Sequence, residues 1–325
     1  MMWSRAVKKV LQVIVPAAIG GGIVMIIYVG WENRMSFLPG SVRDRMDQPN
    51  FRWGAWHASV PGARKPPHAN SKLPTSAILY RVTKRRVSSK EAQAIAGRLG
   101  LHVSATGDSA VYVFDDGKRW ACVSRSPDRV WYADNSRKGN STKPMRVSMA
   151  EAEHTAQSFC DRTKLMPAGD KIRVASSASS TATVGKDPVT HKPKEIVTGF
   201  SVTYARYLDG IEVEEAEGGA GAWVEIAYDG TPCEAHCVMR EVMPDRRVKL
   251  IGADQAFRRL CAGKAIIYDS EPRGVKQAYT SVDLVYWEYP LYKQQRVLWP
   301  VYRFTGKPVP ENDDEPATAY VLAVD

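Results

Sequence analysis

The stretch Val87-Ser88-Ser89-Lys90-Glu91-Ala92 recurs sixty positions later as Val147-Ser148-Met149-Ala150-Glu151-Ala152, and this repeat decides the predicted fold. In both copies a serine precedes a glutamate by three positions, which is the spacing of a capping box at a helix N-terminus. Apolar residues at spacings of three and four follow each box, as on the buried face of an amphipathic helix. A weaker third copy runs from Ile251 to Leu260. The sequence therefore predicts three helices in three related units.

Strand patterns follow each predicted helix. After the first helix, Ala110 to Phe114 and Arg119 to Val123 flank Asp115-Asp116-Gly117-Lys118, whose residues favour a hairpin turn. Later strands are predicted at Phe200 to Tyr207, Ile211 to Val213, Trp223 to Tyr228, Pro232 to Met239, Ser281 to Tyr286 and Val297 to Phe304. An antiparallel sheet has one apolar face that a helix can cover. We therefore predict an α+β fold of repeated units, each with one helix packed on an antiparallel sheet.

A membrane anchor is predicted ahead of these units. Val10 to Gly30 contains no charged side chain, and at about 1.5 Å of rise per residue it spans roughly the 30 Å hydrocarbon core of a bilayer. A cleaved signal peptide is the alternative, but its apolar core is usually about 7 to 15 residues and Tyr28-Val29-Gly30 is a poor cleavage site. We predict a single transmembrane helix at 10–31 that contacts the lipid bilayer, with the bulk of the chain extracytoplasmic.

The predicted organisation has six parts. They are a short N-terminal tail at 1–9, the transmembrane helix at 10–31, a Pro/Gly-rich linker at 32–76, and α+β units at 77–144, 145–246 and 247–325. The linker lacks any sustained helical or strand period. Within the second unit, the Ser-, Thr-, Lys- and Pro-rich segment 176–198 is predicted to be a mobile excursion.

Charge and cysteine content restrict the function classes. The formal net charge is +10 at pH 7, but basic residues are scattered among acidic ones and no RNA- or DNA-binding motif is present, so we expect no nucleic-acid partner. Four glutamates that alternate imperfectly along a strand end, Glu212, Glu214, Glu215 and Glu217, predict a solvated sheet edge. The five cysteines are an odd number spread over a long chain, which argues against a disulfide scaffold. They are Cys122, Cys160, Cys233, Cys237 and Cys261.

Cys233-Glu234-Ala235-His236-Cys237 is the only compact cluster of potential metal ligands or reactive thiols in the sequence. On an extended strand the two cysteines lie roughly 13 Å apart, beyond the ~7 Å limit for a disulfide, and His236 points to the other face. Hydrolase elbows, phosphate-binding loops and paired-His zinc helices do not occur. We predict no catalytic residue, no metal and no cofactor. The alternative is a membrane-anchored hydrolase or thiol- or metal-dependent enzyme that uses Cys233, His236 and Cys237.

Aromatic side chains suggest a partner-binding surface. Trp287, Tyr289 and Tyr292 lie toward a loop after a predicted strand, and Trp53 and Trp56 lie in the linker. Binding hot spots favour Trp and Tyr, so these five residues are predicted to contact a partner. Packing within their own chain is the alternative.

The stretch Ala77 to Val82, with Tyr204, Tyr207, Gly210-Ile211 and Asp229-Gly230, resembles PepSY-type domains and the related YycH and YycI regulators. Val282 to Tyr286, followed by Leu298 to Phe304, is similar to the closing strand pair of those extracytoplasmic proteins. The resemblance covers most of residues 77 to 324 and supplies no catalytic residue. It implies a non-enzymatic, single-pass membrane protein whose outer domains bind and regulate a membrane or cell-envelope partner, such as a sensor kinase or peptidase.

Overall fold

The structure is a computed structural model that describes residues 73–83, 86–108, 110–126, 129–138, 143–166, 171–186, 193–215, 221–264, 266–267, 276–289, 295–309 and 317–325. The described strands are β1 (Ser76–Val82), β2 (Val111–Asp115), β3 (Arg119–Ser124), β4 (Arg129–Asp134), β5 (Lys171–Lys186), β6 (Pro193–Leu208), β7 (Ile211–Glu215), β8 (Gly221–Ala227), β9 (Pro232–Val238), β10 (Val242–Lys249), β11 (Ile266–Ile267), β12 (Lys276–Glu288), β13 (Val297–Val309) and β14 (Ala317–Leu322). The described helices are α1 (Ser89–Arg98), α2 (Asn135–Lys138), α3 (Met149–Thr163) and α4 (Ala253–Cys261).

The strands form one mixed sheet in the order β10-β1-β13-β12-β7-β6-β8-β9-β4-β3-β2. In addition, β5 pairs with β6, and β14 pairs with β13 and β11. Strand β7 joins the two halves of this sheet. It forms a tight hairpin with β6 through Asp209 and Gly210, which both have positive φ, and a parallel ladder with β12 that places Glu212 opposite Val285.

Helices α1 and α3 cover the same face of the half-sheet that runs from β2 to β6. Both begin with the predicted capping box, in which Ser88 pairs with Glu91 and Ser148 with Glu151. Alanines on both helices, together with Phe159 of α3, enter one core with alternate residues of the strands. Two short helices therefore bury one broad apolar sheet face, because small side chains let the helix backbones approach it closely.

Helix α4 covers the other half of the sheet. Its Ala256 and Leu260 are fully buried against β13, β14 and β1, where Phe304, Val321 and Leu79 complete the core. Burial of a Leu or Phe side chain contributes about 1.5–3 kcal/mol each, so these contacts hold the C-terminal strands on the helix.

The predicted fold class is wrong. Helices α1 and α3 share one core instead of covering separate sheets, and strand β1, which precedes α1, pairs with β10 and β13 from the far end of the chain. The described architecture is a large mixed sheet, not a repeat of helix-on-sheet units. Local patterns give each strand its place in the sequence but not its neighbour in space.

No helix within the described residues is long and apolar enough to cross a membrane. The single transmembrane helix that we predicted at 10–31 lies outside those residues, so the described architecture begins after it. The linker, apart from its last residues 73–76, also lies outside them.

Segment 176–198 was expected to be a mobile excursion, and that prediction is wrong for its described residues. Strands β5 and β6 form a long antiparallel ladder in which Ser176 lies opposite Thr203 and Ser179 lies opposite Phe200. The side chains of β5 are largely exposed on both faces, so the strand lacks the alternation of apolar and polar residues that usually marks a half-buried strand.

Two of the four glutamates assigned to a sheet edge also lie elsewhere. Strand β7 is an interior strand. The guanidinium of Arg303 lies 3.4 Å from the carboxylate of Glu212 and 3.0 Å from that of Glu214. Tyr320 donates its hydroxyl hydrogen to Glu214, with 2.5 Å between the oxygens. Arg303 supplies a positive charge and Tyr320 a hydrogen bond, so the two carboxylates can lie within the sheet without being left unpaired.

Candidate functional site

An aromatic row crosses the sheet face opposite helices α1 and α3. Strand register places Trp131 of β4 directly opposite His236 of β9, and His236 directly opposite Trp223 of β8. Their chain neighbours Tyr132, Ala235, Cys237, Ala222 and Val224 belong to the helix-covered core. Since successive side chains on a strand point to opposite faces, the row lies on the outer face. Trp120 of β3 completes it, and we call Trp120, Trp131, His236 and Trp223 the aromatic row.

The rings of the aromatic row contact one another in sequence. Ring centroids are separated by 5.2 Å between Trp120 and Trp131, by 5.5 Å between Trp131 and His236, and by 5.9 Å between His236 and Trp223. The rings are inclined to each other by 55 to 58°, within the range of favourable tilted aromatic pairs. Trp131 is 39% exposed. Among the described residues, the row therefore forms a continuous ridge of rings in which Trp131 is exposed and the other three side chains are half-buried.

Polar groups border this ridge. Trp131 donates its indole N–H to Glu234 of β9, whose carboxylate lies 2.8 Å away and is itself buried. Arg129, two positions before Trp131 on the same strand, is exposed and lies on the same face. A central aromatic patch with charged residues at its margin is the usual composition of a protein–protein contact.

The surroundings of His236 lower its pKa, which favours the neutral imidazole. Burial between the two indoles lowers the pKa of His236, the positive charge of Arg129 lowers it further, and Glu234 acts in the opposite direction. A neutral imidazole adds little desolvation cost when a partner covers it, whereas a charged one would resist burial. The aromatic row is therefore suited to binding an apolar surface.

The structure does not assemble the enzyme site considered as the alternative. Cys233 and Cys237 are buried thiols, while His236 lies on the outer face of β9 between Trp131 and Trp223. Among the described residues, no group of three or more His, Cys, Asp or Glu side chains could hold a metal ion. The imidazole therefore has no geometry for activating Cys237, its sequence neighbour, because adjacent strand residues face opposite ways.

Cys122 is a thiol on the same sheet face as the aromatic row, directly opposite Trp131 in the strand register. Burial raises the pKa of Cys122, although Arg129 opposes the shift. A thiol with a raised pKa stays protonated at neutral pH and is a poor nucleophile. Cys122 therefore packs beside the row as a small apolar side chain.

A separate group of buried charges links the two halves of the sheet. Glu288 at the end of β12 lies 3.3 Å from Nη1 of Arg240 and 3.8 Å from Nη1 of Arg206. Gln295 donates from its amide to the carbonyl oxygens of Trp287 and Val297. The three charged side chains are almost fully buried, so this group has a structural role in positioning β6, β12 and β13.

The sequence-predicted partner residues occupy other places. Trp287 is only 2% exposed and packs on Tyr320, with ring centroids 4.4 Å apart, so it is a core residue and not a surface contact. Tyr289 is half-buried, and its carbonyl oxygen accepts a hydrogen bond from Arg240. Its role in binding stays a prediction. Three of the predicted contact residues lie outside the described part of the chain. They are Tyr292, Trp53 and Trp56.

The aromatic row was missed, although a sequence signal for it exists. Trp120 and Trp223 alternate with core residues on strands that were correctly predicted, which places their large rings on the face away from the helices. What the pattern cannot supply is the pairing of β4 with β9, because that depends on residues about a hundred positions apart.

No protein-family model and no curated protein matches the sequence of this chain. Among solved structures, an uncharacterized protein from Eubacterium rectale is similar with a TM-score of 0.41 and 8% identity, over 76% of this chain and 83% of that one. YycH from Bacillus subtilis is similar with a TM-score of 0.35 and 9% identity, over 75% of this chain and 52% of that protein.

No family model bears out the PepSY part of the resemblance noted in the sequence. These TM-scores are too low to assign a family or a function. The class of the protein therefore rests on the described geometry: a mixed α/β sheet domain with an open aromatic face.

Proposed function

We propose that this protein is a non-enzymatic regulator that binds a membrane or cell-envelope protein through the aromatic row. The observation that carries the proposal is the contact of Trp131 with His236 and Trp120 on an open sheet face. Packed aromatic side chains with low conformational freedom lose little entropy on binding and supply large contact areas. The row contains no arrangement of nucleophile and base, and this supports a binding role over a catalytic one.

The location at a membrane is a proposal from the sequence. The apolar segment 10–31 is long enough to hold the chain at a bilayer, and the described domain would then face the extracytoplasmic side. Fractionation of cells that produce the full chain tests this location. Recovery in the membrane fraction after a high-salt wash is expected, whereas release of the uncleaved chain by salt alone would overturn it.

The binding role is tested by capture from detergent-solubilised membranes of the source cells, with the tagged full chain as bait. We expect a membrane or envelope protein to be recovered, and recovery to fall at least about tenfold for the double variant Trp131→Ala with Trp223→Ala. The matched control is Met243→Ala, which truncates a side chain that is 55% exposed on β10.

Two results would contradict the proposal. If the wild-type chain recovers no membrane or envelope protein, the regulatory function is wrong. If the double Trp variant recovers the same protein as fully as the control does, a partner exists but the aromatic row does not bind it. Circular dichroism of each variant establishes that the fold is retained.

A further inference from the structure

Among the described residues, no strand pairs with the outer edge of β5. Its residues Lys171 to Lys186 pair with β6, from Lys171 opposite Tyr207 to Lys186 opposite Pro193. Among the described strands, β6 is its only neighbour. In an antiparallel ladder about half of the backbone N–H and C=O groups of an edge strand point away from its neighbour. The structure therefore leaves a long row of main-chain donors and acceptors on β5.

This edge lacks two of the features by which proteins normally protect edge strands, charge and proline, although its ladder with β6 contains three register shifts. The run from Val174 to Val184 contains no charged residue, no proline and no glycine. Val174 and Val184 are 42% and 38% exposed. Natural edge strands are usually short, charged, interrupted by proline or covered, because an open edge recruits other strands.

The other ends of the sheet do carry such protection. Strand β10 contains Pro244 within a register shift and, close behind it, the exposed Arg246 and Arg247. Strand β2 is short, and a backbone bridge between Thr106 and Val113 covers part of its outer edge. Register shifts occur on β5 as well as on β10, so it is the absence of charged residues and proline between Val174 and Val184 that distinguishes β5 from β10.

We propose that the outer edge of β5 is a second binding site, which takes an extended segment of a partner protein as an added strand. Main-chain hydrogen bonds would supply the affinity, and small neighbours on β5 would admit small or β-branched side chains. Arg173, whose guanidinium lies 4.8 Å from the ring centre of Tyr207, is exposed at one end of the run. Charge complementarity therefore selects a segment with an acidic residue at that end.

A second copy of this chain fits the edge less well. Two-fold pairing of β5 with itself about the point midway between Ser179 and Ser180 would place position 173 of each copy opposite position 186 of the other. Both positions are basic, as Arg173 and Lys186, and like charges on facing strands are destabilising. An acidic partner segment avoids this repulsion at both ends.

The inference is independent of the aromatic row, since it concerns backbone groups of one strand. The two surfaces nevertheless share a face of the sheet, because Ser176 lies opposite Thr203 and Thr203 lies opposite Trp223. A strand added to β5 would extend the face that carries the row. Loss of one site can be measured without loss of the other.

The test is hydrogen exchange of the purified full chain with a synthetic probe, the peptide Glu-Ser-Val-Thr-Val-Ser-Thr-Glu. Saturating probe is expected to slow exchange of about half of the β5 amides, those that point away from β6. A probe with N-methyl groups on alternate residues cannot donate these main-chain hydrogen bonds and should not slow exchange. The variant Ala178→Lys with Thr181→Lys should weaken probe binding at least about tenfold, while Met243→Lys on β10 should leave it unchanged.

Three outcomes would overturn the inference. The first is that the β5 amides exchange at the same rate with and without probe. The second is that the N-methylated probe slows their exchange as well as the unmodified probe does. Alternatively, the full chain sediments as a dimer that Ala178→Lys with Thr181→Lys converts to a monomer, which would assign the edge to a second copy. Slowed exchange that is lost in the lysine variant and kept in the Trp131→Ala variant would support the β5 site independently of the aromatic row.

Discussion

Trp131 donates its indole N–H to the carboxylate of Glu234 on the adjacent strand, with Nε1 and Oε1 2.8 Å apart. The contact fixes the orientation of the most exposed ring of the aromatic row and gives the buried Glu234 a hydrogen-bond donor. One side chain thus connects the binding face with the stability of the sheet, and this connection can be measured.

We expect Glu234→Ala to reduce both partner capture and stability. Hydrogen bonds to a charged group contribute about 1.5–3 kcal/mol, so the free energy of unfolding should fall by roughly that amount. Glu234→Gln keeps an acceptor oxygen and should lose less. Urea denaturation measures whether the free energy of unfolding falls in the order wild type, Glu234→Gln, Glu234→Ala. Equal stability of the Ala variant and the wild type would show that this hydrogen bond contributes nothing.

His236 should make stability depend on pH in the weakly acidic range. Burial and Arg129 lower the pKa of His236 in the folded protein, whereas the unfolded chain has a value of about 6.5. The unfolded state binds more protons between these two values. The contribution of neutral His236 to the free energy of unfolding is therefore complete above about pH 6.5, and it is lost as the pH falls toward the pKa of His236 in the folded protein.

The variant His236→Phe keeps an aromatic ring in the row but cannot be protonated. The difference in unfolding free energy between wild type and variant should change between pH 7.5 and pH 5, with the wild type losing more on acidification. Chemical denaturation at each pH measures this difference. A difference that stays constant over the whole range is incompatible with a lowered pKa for His236.

Neutralising Glu288 should be strongly destabilising. Its carboxylate lies between two buried guanidinium groups, at 3.3 Å from Arg240 and 3.8 Å from Arg206. Removing one member of a buried charge group costs about 3–5 kcal/mol, because the remaining charges lose their compensation. We expect Glu288→Gln to lower the unfolding free energy by that amount.

The matched control is Asp283→Asn, which removes an exposed partner of Arg303 located 3.5 Å away. Surface ion pairs contribute about 0–1 kcal/mol, so this change should be nearly neutral. Denaturation midpoints of the two variants make the comparison. If they shift equally, the buried group at Glu288 has no special role in joining the halves of the sheet.

Two glycines should respond to alanine in opposite directions. A Cβ on Gly306 of β13 would lie 2.2 Å from the carbonyl oxygen of Ala278 on β12, whereas a Cβ on Gly97 of α1 would meet nothing within 4 Å. Overpacking typically costs about 1–3 kcal/mol, and Gly to Ala within a helix gains roughly 0.5–1 kcal/mol. Thermal unfolding of Gly306→Ala and Gly97→Ala shows whether each substitution lowers or raises stability. If Gly306→Ala is as stable as the wild type, β12 and β13 can separate locally.

The sequence was informative wherever the signal was local. The capping boxes at Ser88 and Ser148 predicted the starts of two helices, and both boxes form in the structure. The hairpin around Asp116 and Gly117 was also predicted and is confirmed by the pairing of β2 with β3. These features depend on residues within a few positions of each other, so composition and spacing are sufficient to specify them.

The binding face could not be obtained in the same way. Trp287 was assigned to a surface because it precedes a loop, yet the pairing of β12 with β7 and β13 buries it against Tyr320. Conversely, His236 was considered only as a neighbour of two cysteines. The register of β9 between β4 and β8 turns it toward Trp131 and Trp223.

By itself, then, the sequence determined the starts of helices α1 and α3, the β2–β3 hairpin and the alternation that divides strands such as β3 and β8 into a core side and an outer side. Tertiary structure alone decided that the strands join into one mixed sheet and that Trp131, His236 and Trp223 meet on its open face. The physical reason is that secondary structure follows short-range spacing, whereas strand partners are selected by the burial of whole faces between distant parts of the chain.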